Sequence, residues 1–104
     1  MRRGELWWAD LPAPAGRRPV LLLSRNEAYA VRELVIIAPV TTRIRRIPTE
    51  VALDKKVGIP KASVVNLDTL ATIPKRTLAE RISQLPEAKM RDVDDALKFA
   101  LGLT

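Results

Sequence analysis

The chain has no histidine and no cysteine, so imidazole acid–base catalysis, thiol nucleophiles, disulfides and Cys/His zinc sites are excluded together. Whatever chemistry the chain performs must use other groups, among them arginines, hydroxyls and two tryptophans. Arg17-Arg18 stand before Pro19, Arg25 follows an apolar run, and Arg43, Arg45 and Arg46 crowd the segment between Thr41 and Thr49. A guanidinium is a planar fork of donors that matches phosphate oxygens. The 43–46 cluster reads either as a solvated loop or as a surface that tracks phosphates, and Arg17 and Arg25 as further phosphate contacts. Trp7-Trp8 offer faces for stacking on bases or, on a strand, side chains for a core or an interface. Thr41 taken by itself is a strand-end or turn hydroxyl.

Charge favours a polyanionic partner. Eighteen Lys and Arg against twelve Asp and Glu give +6 over 104 residues. Residues 84–104 hold three basic and four acidic side chains, a net of −1, so residues 1–83 carry +7. Nucleic acid is the first partner such a body suggests. The length fits one domain over 1–104. No apolar run approaches the roughly 20 residues a membrane-spanning helix needs, and Glu5 interrupts the N-terminus before any signal-like stretch. A cytoplasmic protein without membrane association is expected.

Short strands must position these groups. Glu5–Asp10 reads as a first strand, and Leu11–Arg18, with two prolines and a glycine, as a loop ending in two arginines. Pro19–Ser24 is almost wholly apolar and reads as a strand buried on both faces. Glu33–Val40 gives a third strand, and these two runs should form the heart of the core. Further strands are expected at Glu50–Leu53 and Ala62–Leu67, with weaker ones at Leu70–Pro74 and Ala79–Ile82. From Pro86 the period becomes helical through Met90, Val93, Leu97, Ala100 and Leu101, with Gly102 as the stop signal. Its expected N-cap, Leu85, has no side-chain acceptor, which costs about 1 kcal/mol. Five to seven strands and one helix suggest a small, strongly bent sheet or barrel.

The chain resembles the MazF/PemK family of toxins from bacterial toxin–antitoxin pairs. The likeness rests on ordered segments: Arg3-Gly4-Glu5-Leu6-Trp7-Trp8-Ala9-Asp10-Leu11, Arg17-Arg18-Pro19-Val20-Leu21-Leu22-Leu23-Ser24 and Ala38-Pro39-Val40-Thr41-Thr42. It continues in Pro48-Thr49-Glu50-Val51, Ser63-Val64-Val65-Asn66-Leu67-Asp68 and Leu70-Ala71-Thr72-Ile73, and ends in Ala96-Leu97 and Leu101-Gly102-Leu103. This resemblance implies a mainly β fold, a small SH3-like barrel with a C-terminal helix, assembled as a homodimer. It implies sequence-selective cleavage of single-stranded RNA (mRNA, tRNA or rRNA) that needs no metal or other cofactor. The products it implies are a 2′,3′-cyclic phosphate and a free 5′-hydroxyl. The implied partner is a cognate antitoxin that lays an extended, acidic C-terminal segment over the toxin.

By the same resemblance the catalytic arginine falls on Arg18 and the catalytic threonine on Thr41. The candidate RNA-binding set, drawn largely from residue type and charge, is Arg17, Arg25, Arg43, Arg45, Arg46, Asn66 and Thr69. The family pattern is broken twice. The loop Pro12–Arg17 is short where relatives often carry a longer Gly-Ser-Glu-like insertion, and Thr69 stands where relatives often have Gln. An arginine at position 18 suits stabilisation of charge on a phosphorane and, with an ordinary pKa above 12, does not suit proton abstraction. Thr41 suits donation to a phosphate oxygen or orientation of the 2′-hydroxyl. Two alternatives share the barrel: a non-enzymatic inhibitor of DNA gyrase and a passive RNA-binding module.

Overall fold

Residues 1–103 are described by a computed structural model. Its strands are β1 (Glu5–Asp10), β2 (Arg17–Leu22), β3 (Leu34–Thr41), β4 (Glu50–Leu53), β5 (Ser63–Asn66), β6 (Ala71–Pro74) and β7 (Leu78–Gln84). Its helices are α1 (Ala28–Val31) and α2 (Glu87–Leu101), with 3-10 turns at Lys55–Val57 and Lys75–Thr77. All strand pairs are antiparallel. The fold is mainly β with a C-terminal helix, as expected.

The sheet order is β4-β5-β3-β2-β1-β7, with β6 on β3. One edge of β3 pairs with β2, and the other is shared: Leu34–Ile37 face β6, and Val40 and Thr41 face β5. Serving two partners along one edge bends the sheet. The end strands β4 and β7 do not pair, so the barrel is open along that seam. The 3-10 turn Lys55–Val57 approaches β7 there, where Ser83 Oγ donates to the Val57 carbonyl at 2.5 Å. Gly58 follows at φ 87°, and a Cβ added to it would meet Ile82 Cγ2 at 2.8 Å.

Burial on both faces of β2 is borne out. Leu21 and Leu23 enter one cluster with Leu6, Ala38, Val40, Val65 and, from α2, Val93 and Ala96. Val20 and Leu22 point the other way, into a cluster with Ala9, Tyr29, Val35, Ile37, Ile73 and Leu78. Alternate side chains of one strand thus feed two apolar layers. The third strand is less uniform, because Leu34 and Ile36 stand 56% and 45% exposed.

Three local expectations change. β2 begins at Arg17, so the two arginines are strand residues and not the end of a loop. The connection after Ser24 contains the short helix α1, whose Tyr29 is buried in the second layer. The N-cap of α2 is Pro86 instead of Leu85, again without a side-chain bond. At the other end Gly102 adopts φ 70°, and its N–H reaches the carbonyls of Lys98 and Phe99, as a helix stop requires.

Candidate active site

The hairpin from β1 to β2 delivers Arg18. Leu11 N–H donates to the Gly16 carbonyl at 3.1 Å and Ala15 N–H to that of Pro12 at 3.1 Å. Gly16 takes φ 66°, a left-handed turn that glycine adopts without steric cost. The chain then enters β2 with Asp10 opposite Arg17 and Ala9 opposite Arg18. Arg18 is half-buried, and its Nε donates to the Ala15 carbonyl at 3.0 Å. That bond fixes the stem of the guanidinium and leaves both Nη groups without a protein partner among the described residues.

The register of β2 on β3 pairs Val20 with Pro39, Leu21 with Ala38 and Leu22 with Ile37. Continued two steps toward the strand ends, it sets Arg18 across from Thr41. The formal ladder stops short of them, where Pro19 and Pro39 supply no N–H. Thr41 Oγ1 accepts a bond from Arg43 N–H at 3.1 Å, so its hydroxyl hydrogen remains free to donate.

Thr41 pairs in turn with Val64 of β5, and Asn66 lies two residues further along the same face. Such a diagonal spans about 7–8 Å. Asn66 Oδ1 accepts from Asp68 N–H at 2.9 Å, which leaves its Nδ2 donors unused among the described residues. Arg18, Thr41 and Asn66 therefore form a row of outward hydrogen-bond donors across three adjacent strands.

Two loops flank the row. Arg43, Arg45 and Arg46 are exposed in the loop from β3 to β4, and none pairs with a carboxylate among the described residues. Arg45 and Arg46 donate their backbone N–H groups to Glu50 Oε1 at 2.8 and 3.0 Å. Thr69 is exposed in the turn after β5, which Thr49 secures by donating to Asp68 Oδ2 at 2.6 Å. Sequence reasoning missed Glu50; its signal was an acid at the head of a strand, four residues after the arginine run.

Not every arginine of the expected set joins this row. Arg17 projects to the opposite face, where it reaches Asp10 at 3.5 Å and Glu80 at 3.3 Å and lies 5.5 Å from the centre of the Trp8 ring. Its charge is met and the face of Trp8 is covered. Arg25 lies beyond the far end of β2, in the turn that leads into α1, and the fold does not bring it to Arg18. Trp7 packs against the second layer, with its Nε1 bonded to Glu5.

The far end of β1 and β2 is a closed network. Glu5, 6% exposed, accepts from Arg2 N–H at 2.9 Å, Trp7 Nε1 at 3.0 Å and Arg81 Nε at 2.8 Å. Burial alone would raise its pKa, but the donors, Arg81 foremost, hold the carboxyl below its ordinary value of 4.5. Burial pushes the Tyr29 hydroxyl up to about 12, so it stays protonated.

The open row can bind an anionic phosphodiester: a forked cation, a free hydroxyl hydrogen and an amide lie on three adjacent strands, beside three arginines that pair with no carboxylate among the described residues. No cluster of three His, Cys, Asp or Glu suited to hold a metal occurs among the described residues. The family model for PemK-like, MazF-like toxins of type II toxin–antitoxin systems matches residues 2–101. A probable endoribonuclease, MazF5 of Mycobacterium tuberculosis, is 39% identical over 100 residues, covering 95% of this chain and 91% of its own. The solved toxin MazF-mt6 of M. tuberculosis superposes with a TM-score of 0.89 at 32% identity, covering 96% of this chain and 98% of its own. A mycobacterial endoribonuclease solved with its cognate antitoxin gives 0.88 at 32% identity, over 100% and 97%. The chain belongs to the PemK-like, MazF-like toxins of type II toxin–antitoxin systems.

Proposed function

We propose that Arg18 and Thr41 are the catalytic residues with which this endoribonuclease toxin cuts single-stranded RNA. The observation that carries the proposal is the pair itself: a guanidinium anchored, among the described residues, through Nε alone, on the strand beside one that ends in a hydroxyl whose hydrogen is free. The 2′-oxygen of the RNA bonds to phosphorus as the bond from phosphorus to the 5′-oxygen breaks. Overall, one proton passes from the 2′-oxygen to the departing 5′-oxygen. Arg18 meets the charge that accumulates on the phosphorane oxygens, and Thr41 donates to one of them or holds the 2′-hydroxyl in line. Arg43, Arg45, Arg46, Asn66 and Thr69 receive the flanking nucleotides. The products are a 2′,3′-cyclic phosphate and a 5′-hydroxyl.

The toxin acts as a homodimer, for which the exposed apolar side chains Val31, Leu34 and Ile36 supply surface that gains from burial. A cognate antitoxin with an acidic, extended segment matches the basic body by charge. Gyrase inhibition is not favoured, since relatives across the full length of the chain are endoribonucleases.

The test is purified protein on a long single-stranded RNA in EDTA, with mapping of the fragment ends. Discrete cuts that end in cyclic phosphate, absent from Arg18→Ala, are expected. Cuts that require added magnesium, or that survive in folded Arg18→Ala, would overturn the assignment. Sedimentation that gives only an 11.6 kDa species at micromolar concentration would remove the dimer.

A further inference from the structure

An acid in the middle of a surface that binds a polyanion opposes its function unless it does something else. Glu50 occupies that position: it pairs with Asn66 across β4 and β5 and stands beside Arg45 and Arg46. Its carboxylate does not neutralise either guanidinium. Oε1 takes the backbone N–H groups of both residues at 2.8 and 3.0 Å, while Oε2 is buried and accepts no bond among the described residues. Arg46 is held at φ 57°, among the described residues the one non-glycine position with positive φ. A β-carbon disfavours that conformation, so the loop keeps it only while something holds it there.

We infer that Glu50 is a positioning residue: its carboxylate splints the Arg45-Arg46 segment through the backbone and so turns these two guanidiniums outward, beside Arg43, as a phosphate-binding strip. Thr49 does the same on the other side of the β4 head, where its hydroxyl holds Asp68 and with it the turn that carries Thr69. The inference rests on the reading that this face binds RNA. It adds that a negative charge improves the binding of a negative ligand, because what it supplies is loop geometry.

That sign makes the idea separable from simple electrostatics. If Glu50 acted only by charge, Glu50→Gln and Glu50→Ala would both bind RNA more tightly. The splint requires the two to part. Glu50→Gln keeps an acceptor oxygen and should bind a non-cleavable 2′-deoxy-substituted oligonucleotide as tightly as the wild type or more so. Glu50→Ala should bind it about tenfold more weakly, with KM raised and kcat little changed. If both the Arg45 and Arg46 contacts are lost, the slope of log K against log salt should fall by about 1.4. Equal tightening in both variants overturns the inference.

Hydrogen exchange at the Arg45 and Arg46 amides of the wild type gives a readout that depends on neither variant folding nor RNA. Protection of both amides, lost in Glu50→Ala, is expected; exchange at unstructured rates in the wild type refutes the splint. A wild type with protected amides that neither binds nor cuts RNA would leave the splint intact and remove the proposed function.

Discussion

The two ends of the β1–β2 hairpin use similar residues to opposite effect. At one end Glu5 collects three donors, Arg81 and Trp7 among them, and Arg3 bonds both the Leu23 carbonyl at 3.1 Å and Asp94 at 2.8 Å. At the other end Arg18 spends one N–H on a backbone carbonyl, and Thr41 keeps its hydrogen. In the first region Glu5, Arg3 and Arg81 meet their charges within the chain and contribute to stability. The second holds donors in place with their valence open, which is what a site for a ligand must do. Arg17 and Arg18 make the same contrast in adjacent residues, since alternation along a strand sends one to Asp10, Glu80 and Trp8 and the other to the open row.

If the difference is real, substitutions should sort by region. Arg18→Ala should lower cleavage by about 10³-fold, and Arg18→Lys by nearly as much, because an ammonium keeps the charge but loses the fork. Thr41→Ala should cost about 10²-fold, with Thr41→Ser restoring most of it. Neither should move the melting temperature appreciably. Arg17→Ala, which removes half-exposed ion pairs and a contact with the Trp8 ring, should change the rate by less than about fivefold. Initial rates on one RNA of known cut position, beside thermal melts, read all five. An Arg17→Ala loss as large as that of Arg18→Ala would erase the contrast.

Glu5 should behave in the reverse manner. Glu5→Gln keeps the bulk but weakens bonds to three donors, and a stability loss of about 2 kcal/mol is expected with the cleavage rate of the folded enzyme unchanged. The pH dependence follows from the direction of its shift. The folded-state pKa lies below the ordinary 4.5, so the stabilisation is complete above that value. As pH falls through 4.5 the unfolded chain takes up the proton first, and the stabilisation is gone once pH has passed the folded-state value. Urea melts at pH 7, 5, 4 and 3 should therefore show the gap between wild type and Glu5→Gln closing with acidification. A constant gap would mean that packing, and not ionisation, is what Glu5 contributes.

Much of this was legible because it was periodic. The apolar run Val20-Leu21-Leu22-Leu23, opened by Pro19, read as a strand with apolar layers on both sides, and the spacing from Met90 to Leu101 read as a helix. Segments whose state depends on tertiary contacts were less clear. α1, four residues long, is too short for a periodic signal and forms because Tyr29 docks on the second layer. The exposure of Leu34 and Ile36 depends on what lies over that part of the sheet, which composition does not record. Residue types named the arginines as candidates but could not sort Arg17 from Arg18, because strand phase is set by the hairpin turn. Arg25 was drawn in by composition and left out by topology. Glu50 escaped notice because its contribution passes through backbone amides, which have no letter in a sequence.

The smallest expected effect probes that hairpin turn. Gly16 holds φ 66°, and a Cβ added there would meet nothing within 4 Å. Gly16→Ala therefore introduces backbone strain without a clash, worth about 1 kcal/mol. Gly16→Asn should lose less, since asparagine tolerates the left-handed region better. The strain is adjacent to the Ala15 carbonyl that anchors Arg18 Nε, so a modest drop in kcat, about threefold, should accompany it. Melts and single-turnover rates on the two variants separate the outcomes. A stability loss with unchanged rate would mean that strand pairing alone places Arg18. A rate loss approaching that of Arg18→Ala would mean that the short loop itself touches the RNA, and the open end of the hairpin would then have to be redrawn to include it.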